Sequence, residues 1–318
     1  MRVLLVGAGS VGQLYGAHLA RSGTEVHVLV RPRYAEEARG GFRVYERRRG
    51  LEHGELFTPD GVWTEASDVP AGHFDAAILC IPSTGLNGPW LPTLCEHLGS
   101  ATLVTLTPGL DDFQKIAAYL PEEQIVRGLI TSVSYPAPMP GESASEPGTA
   151  YWIPPLTPAL FEGSKERTEP ILQALRQGQM PARRVSGLAA QAAFGSGVLM
   201  PVVAHLETVD WEMARLRAEK LPELARTIEQ VRGVLEQTLN TRAPLTLRMI
   251  GPRSLGLISR FAPRMTPFDL EMYLKVHFTK VGAQTRMFLE DYVSKGDALN
   301  LPTDAIAELR AALGDGES

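Results

Sequence analysis

Cysteine is nearly absent from this 318-residue chain: Cys80 and Cys95 are the only two. They share no CxxC spacing, and no histidine stands beside them at metal-ligand spacing. A thiolate metal centre and a disulfide framework are therefore excluded, and both residues read as small buried hydrophobes. A basic excess is missing too. Asp and Glu (36) outnumber Lys and Arg (31), the formal net charge is -5 and the isoelectric point is about 5.9, so neither nucleic acid nor a membrane is an expected partner. No apolar run spans a bilayer uninterrupted. Residues 185–206 carry no Asp, Glu, Lys or Arg, but Gln191, Ser196, Pro201, His205 and several glycines break the run, which reads as a buried helix. The first residues show no leader pattern, because Met1–Val6 is already strand-like and runs straight into glycines; a cytoplasmic location is the expectation.

The remaining composition, 44% hydrophobic and 21% charged, is that of a globular protein, and the length suggests two domains with a cleft between them. Up to about residue 180, short apolar runs (RVLLV, EVHVLV, AAILCI, ATLVTL, QIVRGLI) alternate with helical stretches, the pattern of a parallel sheet covered on both faces. GFRVYERRRGLEHGELFT reads as two strands around a basic turn at Arg47–Arg49, and SYPAPMPGESASEPG as a long surface connection. After PARRVS the pattern turns helical, with helices expected at Leu188–Glu207, Trp211 to about Gln237, Pro267–Ser294 and Thr303–Leu313, the last capped by Thr303. The expected division is 1–182 and 183–318.

The opening MRVLLVGAGSVGQLYG places Gly7, Gly9 and Gly12 between a strand and a helix, inside a strand-helix-strand unit. In that setting Gly7 permits a tight turn, Gly9 admits a pyrophosphate, and Gly12 lets the helix lie close to the strand, while the amides around Ser10 and Val11 at the helix start face the phosphates. An acidic residue at the end of the second strand would hold a ribose 2′-hydroxyl. Here VHVLVRPRY has Arg31 at that place and Arg33 two residues on. A guanidinium fork suits a 2′-phosphate, so NADP(H) is the expected cofactor. Arg33 is read either as a second phosphate contact or as a solvated loop residue.

The glycine loop, Arg31, AAILCIPSTGL, ATLVTLTPGLDD, IVRGLITSVSYPAPMPG and the helical second half together resemble the ketopantoate reductase (2-dehydropantoate 2-reductase) family. The resemblance implies an α/β Rossmann dinucleotide-binding domain followed by an all-α second domain of the 6-phosphogluconate dehydrogenase C-terminal type, and hydride transfer between NADPH and a 2-keto group. It also implies a Lys after the fourth strand, an Asn-Gly after the fifth, a catalytic Lys and two Asn on the first helix of the second domain, and a late carboxylate. The matching positions here are Pro82, Pro108-Gly109, Ala192, Ser196, Met200 and Lys280, so ketopantoate reduction by the usual residues is not expected.

A replacement set is sought on the late helix. Within EMYLKVHFTKVGAQTRMFLED, helical spacing gathers Tyr273, His277, Lys280, Gln284 and Asp291 on one arc beside the apolar Leu274, Phe278, Val281, Phe288 and Tyr292, with Lys275, Thr279, Arg286 and Glu290 opposite. That arc is either a cleft wall or a solvated boundary. As a cleft wall it would offer Lys280 to bind an anionic substrate or donate a proton, His277 to lower the Lys280 pKa or relay the proton, and Tyr273, Gln284 and Ser196 to contact substrate. The expected function is an NADP(H)-dependent oxidoreductase of a small, anionic 2-keto or 2-hydroxy compound. Two alternatives stay open: a non-catalytic or regulatory dinucleotide-binding protein, and a dehydrogenase of longer hydroxy or amino acids. A homodimer is left open, and no metal is expected.

Overall fold

Aliphatic and β-branched runs bounded by glycine, proline and polar turns form the strands of the computed structural model, which describes residues 1–315. They are β1 (Arg2–Val6), β2 (Glu25–Leu29), β3 (Phe42–Glu46), β4 (Glu55–Phe57), β5 (Gly61–Trp63), β6 (Ala76–Leu79), β7 (Thr102–Thr105), β8 (Ile125–Leu129), β9 (Val133–Ala137), β10 (Gly148–Trp152), β11 (Ala159–Glu162) and β12 (Ala182–Arg184). Helices α1 (Ser10–Arg21), α2 (Ala35–Gly40), α3 (Trp90–Leu98), α4 (Asp112–Ala117) and α5 (Lys165–Gln177) lie among them. The rest is helical: α6 (Leu188–Glu207), α7 (Met213–Arg215), α8 (Leu221–Thr238), α9 (Leu245–Arg248), α10 (Pro252–Met265), α11 (Leu270–Lys280), α12 (Gly282–Ala298) and α13 (Asp304–Ala312). The chain separates into two compact units, residues 1–188 and the chain from Ala189 onward.

In the first unit, eight strands run in the order β12-β11-β8-β7-β6-β1-β2-β5. The six from β5 to β8 are parallel; β11 returns antiparallel beside β8. Counted by their appearance in the chain, those six strands stand third, second, first, fourth, fifth, sixth, which is the doubly wound Rossmann order with its reversal between β1 and β6. Both faces are covered, which is why β6 and β7 are buried at every position and β1 and β6 are apolar runs rather than alternating ones. Val3, Leu5, Ile78 and Val104 pack with Leu14 and Leu19 of α1 and Ile171 and Leu175 of α5. Leu4, Val6, Leu79 and Leu103 pack on the other face with Leu91, Leu94 and Cys95 of α3 and Ile116 of α4. Burial pushes the Cys95 thiol up to about 11 and that of half-buried Cys80 up to about 12, so both stay protonated and act as hydrophobes.

A second sheet of four strands, β4-β3-β10-β9, pairs β3 with β10 in parallel and β10 with β9 antiparallel. The segment expected as a proline-rich connection therefore begins with a strand. Proline is admitted because β9 is an edge strand and Pro136 is exposed there.

The second unit corrects three expectations. Pro267–Ser294 is not one helix: it breaks at Val281 (φ -111°, ψ 23°), and α12 restarts at Gly282. Helix α10 was not among the expected helices, because Gly256 and Pro263 interrupt its pattern. Arg286, assigned to the outward face, is buried: it pairs with Glu207 at 2.7 Å and donates to the carbonyls of Gly282, Leu313 and Gly314. Thr303 does occupy the N-cap position of α13, but its hydroxyl donates to Asp297 Oδ1 at 2.7 Å instead of capping. Helix α6 is the only one among the described residues long and apolar enough to cross a membrane, and half of it is buried inside the protein.

Each unit encloses a neutral histidine. His18 donates from Nδ1 to the Gly178 carbonyl at 2.7 Å, and His205 meets Thr227 Oγ1 at 3.3 Å. Burial lowers both pKa values to about 4. Above the ordinary value of 6.5 both states of the chain are neutral there, whereas below it only the unfolded chain takes up the proton. Stability should therefore fall from about pH 6.5 to about pH 4, by ~1.4 kcal/mol per pH unit for each imidazole. Urea titrations across that range should show this slope, reduced in His18→Gln; an unchanged slope in the variant would remove His18 from the account.

Candidate dinucleotide and substrate site

The carboxyl ends of β1 and β6 meet at the strand-order reversal, where open α/β sheets bind ligands. Three glycines there have three different constraints. Gly7 has φ +92°, and a Cβ on it would lie 2.8 Å from Ile81 Cγ2 and 3.0 Å from the Cys80 carbonyl oxygen. A Cβ on Gly12 would run into the Gly7 carbonyl. Gly9 is extended (φ -71°, ψ -175°), exposed, and has no atom within 4 Å of the place a Cβ would take. No described neighbour requires glycine at that position, and the space in front of it is open.

The helix behind this opening is ready for an anion. Its first internal bond runs from Gln13 N–H to the Gly9 carbonyl at 2.9 Å, which leaves the amides of Ser10, Val11 and Gly12 ahead of the ladder. No side chain caps α1 and no acidic residue stands in its first turn, so the positive end of the helix dipole is not neutralised. The loop is held by Gln13 Nε2 donating to the Ala8 carbonyl and by Gly7 N–H donating to the Leu29 carbonyl, both at 2.9 Å. This donor set and the space at Gly9 fit a pyrophosphate.

Arg31 follows β2 one residue after Val30 and is exposed; its carbonyl accepts the Tyr34 N–H at 2.9 Å. The Arg33 guanidinium lies over the Tyr34 ring, 4.8 Å from its centre. Among the described residues no carboxylate pairs with either arginine, so both are available to a phosphate.

The sequence reading missed a buried clasp at the ends of β6 and β7. Asp112 Oδ2 accepts from Ser83 Oγ (2.6 Å) and from Gly109 N–H (2.8 Å), and Gly109 N–H also reaches Ser83 Oγ (2.9 Å). Ser83 and Asp112 are almost fully buried. The clasp ties the loop after Pro82 to the loop after Pro108, two positions where the resemblance had directed attention to absent Lys and Asn side chains. The available signal was the Gly-Leu-Asp-Asp turn ahead of α4.

In the second unit the expected stripe is divided. Tyr273, His277 and Lys280 lie on α11; Gln284 and Asp291 lie on α12, beyond the break at Val281. Tyr273 and His277 stack at 5.4 Å, with Phe268 edge-on to Tyr273 and Phe278 edge-on to His277. Burial, with a smaller contribution from Lys280, lowers the His277 pKa to about 4, and burial raises that of Tyr273. A neutral imidazole adds no positive charge beside Lys280, which is exposed as the last residue of α11. Ser196 is half-buried on α6. Its neighbour Gly197 faces α8 closely: a Cβ there would lie 2.6 Å from Leu235 Cδ1, and the leucine would have to shift.

Glu25, His27 and His73 bring possible ligand atoms within 4.8 Å of one another. Trp63 Nε1 donates to His27 Nδ1 (3.3 Å), which puts the His27 proton on Nε2, facing Glu25 at 2.8 Å. A metal on Nε2 would move that proton onto Nδ1, against the indole N–H. This cluster is a hydrogen-bond network at the start of β2, at the opposite strand end from the glycine loop.

Residues 3–153 match the family model of ketopantoate reductase PanE/ApbA. Among solved structures, the chain is similar to a PanE/ApbA family ketopantoate reductase of Ralstonia eutropha JMP134 (18% identity, TM-score 0.74, covering 98% of this chain and 97% of that one). It is also similar to the 2-dehydropantoate 2-reductase of Methylococcus capsulatus (17%, 0.72, 98% and 95%). A third similar structure is D-mandelate dehydrogenase in a ternary structure with NADH and anilino(oxo)acetate (14%, 0.73, 98% and 97%). No curated protein sequence matches. At these identities the structural likenesses establish the fold.

Two substitutions separate the demands of fold and ligand. Gly9→Val should abolish dinucleotide binding in calorimetric titration while changing stability by no more than about 1 kcal/mol, because only a capping glycine is lost and no neighbour is displaced. Undiminished binding would reduce the loop to a turn. Asp112→Ala should lower stability by about 2–3 kcal/mol, as a buried hydroxyl and amide lose a charged acceptor, and Asp112→Asn by less; urea denaturation measures both, and equal losses would contradict the clasp.

Proposed function

We propose, for a chain whose residues 3–153 match the family model of ketopantoate reductase PanE/ApbA, that it is an NADP(H)-dependent oxidoreductase acting on a small anionic 2-keto or 2-hydroxy compound. The observation that carries this reading is the Gly9 opening in front of the amides of α1 that lie ahead of the helix ladder, with Arg31, exposed and without a carboxylate partner among the described residues, just after the neighbouring strand. In this reading the amides of Ser10, Val11 and Gly12 take the pyrophosphate. Arg31 takes the 2′-phosphate, aided by Arg33, with no Asp or Glu at the end of β2 to repel it. When bound, the nicotinamide supplies or accepts the hydride. The Ser83–Asp112 clasp holds the β6 and β7 loops in one arrangement beside the strand ends where that ring belongs.

Reduction of a carbonyl also needs a donor to the nascent alkoxide. Lys280 is the group proposed for that, or for pairing with a substrate carboxylate, with Tyr273, Gln284 and Ser196 as further polar contacts. His277, neutral at pH 7, acts here as a hydrogen-bond partner or as a base in the alcohol-oxidising direction, not as a cation. A Lys where the family resemblance implies a carboxylate favours dicarboxylates over substrates ending in a hydroxyl.

The non-catalytic reading draws on one specific observation: Pro82, Pro108 and Ala192 offer no polar side chain at positions where the resemblance implies Lys, Asn and Lys. Loss of NADPH absorbance with a panel of 2-keto mono- and dicarboxylates separates the two readings. Turnover of any panel member supports the first, and tight NADPH binding with none supports the second.

Cofactor choice is tested independently. NADPH should bind about 10–100-fold more tightly than NADH, the worth of a charge-assisted pair to the 2′-phosphate, and Arg31→Ala should erase most of that ratio. Equal affinities in the wild type, or a preference that survives the substitution, would remove Arg31 from this role.

A further inference from the structure

Residues 242–268 contain five arginines (Arg242, Arg248, Arg253, Arg260 and Arg264) and no Asp or Glu, within a chain of net charge -5. Two of them, Arg260 and Arg264, stand one turn apart on α10, on the same face as Gly256 and Pro263. Arg217, from the single π-helical turn Leu216–Lys220 that follows α7, reaches across to this face and donates to the Ser259 carbonyl at 3.2 Å. Together with Met213, Gly256, Pro263 and Glu271 these three arginines line a cavity of about 670 Å³, within the size range of small-molecule sites. Every lining residue belongs to the second unit.

Charge pairing divides the arginines of this unit. Arg215 is matched with Asp210 (2.7 Å) and Glu219 (3.2 Å), Arg226 with Asp304, Arg232 with Glu229 (3.6 Å), Arg286 with Glu207 (2.7 Å) and Arg310 with Glu290 (2.7 Å), whereas Arg242, Arg248 and Arg253 of the acid-free segment have no carboxylate partner among the described residues. Among the described residues no carboxylate is within ion-pair distance of Arg217, Arg260 or Arg264. Glu271 is in the wall, but its Oε1 accepts the Met213 N–H at 2.7 Å and does not pair with them. Arg264 donates only to the Arg260 carbonyl at 2.8 Å, a bond that holds its stem along the helix. In an acid-rich chain, three unmatched guanidiniums around one concavity form a positive site suited to planar, multiply charged oxyanions.

We propose that this cavity binds a small polyanion, a molecule carrying two or more phosphate or carboxylate groups, with Glu271 available to a hydroxyl or ammonium on the same molecule. The site lies wholly within the helical unit and does not depend on the oxidoreductase reading. The probes are inorganic pyrophosphate and citrate, titrated calorimetrically at low ionic strength into the full chain. The Gly9→Val background is used so that the glycine loop does not contribute. The expected result is one equivalent of either probe bound, weakened about tenfold or more by Arg260→Ala/Arg264→Ala; pyrophosphate or citrate as the tighter ligand assigns the phosphate or carboxylate class. Arg217→Gln, a single change on the opposite wall, should weaken the same binding and decides the matter if the double variant does not fold. Absence of binding by both probes, or binding indifferent to these arginines, overturns the proposal.

Discussion

Helix α1 lies against the end of β1 with no room for a single carbon between them: any side chain on Gly12 would collide with the Gly7 carbonyl. The rest of the first unit depends on that closeness. It fixes the helix axis, sends its uncapped amino end toward the reversal between β1 and β6, and lets Leu14 and Leu19 reach Val3 and Leu5 in the core. The three glycines are thus not equivalent. Two are required by the polypeptide, one through a positive φ and one through contact; at Gly9 no described neighbour makes such a demand. A motif written as one spacing thus holds two positions that the fold demands and one that it does not.

The first unit was legible because its central strands β1 and β6 are buried and appear as short apolar runs, and because alternation with helices implies a parallel sheet covered on both faces. Legibility failed where the decisive partner is distant or the backbone changes phase. β9 was hidden by prolines that an edge strand tolerates. The break at Val281 leaves the heptad-like count of polar residues nearly intact, so Tyr273 and Gln284 seemed to share one face while standing on two helices. Arg286 counts as outward on a continuous helix, yet it is held inside by Glu207, 79 positions earlier.

For the candidate site the division is similar. Gly7, Gly9, Gly12 and Arg31 lie within 25 residues of one another, and the local order strand-loop-helix-strand was enough to place them at the turn into α1 and just after β2. The clasp joins Ser83 to Asp112 across 29 positions, between loops whose neighbouring strands must first pair, and no local period reports it. His277 shows a different limit. Its residue type suggested a proton relay, and the burial among Tyr273 and Phe278 that holds the ring neutral depends on Phe268, Tyr273 and Phe278 gathering around it, which no residue type reports.

The order of strands in the two sheets has one more consequence, for association. Each outer strand is unsuited to accept a foreign strand. β5, β12 and β4 are three residues long, β12 ends in exposed Arg183 and Arg184, β4 begins with exposed Glu55, and β9 carries Pro136, which has no N–H to offer. Short length, charge and proline are the ordinary means by which sheet edges avoid templating one another. A chain with two open sheets is thereby kept from lengthening either of them, and recognition of other molecules of its own kind is left to side-chain surfaces rather than to backbone hydrogen bonds.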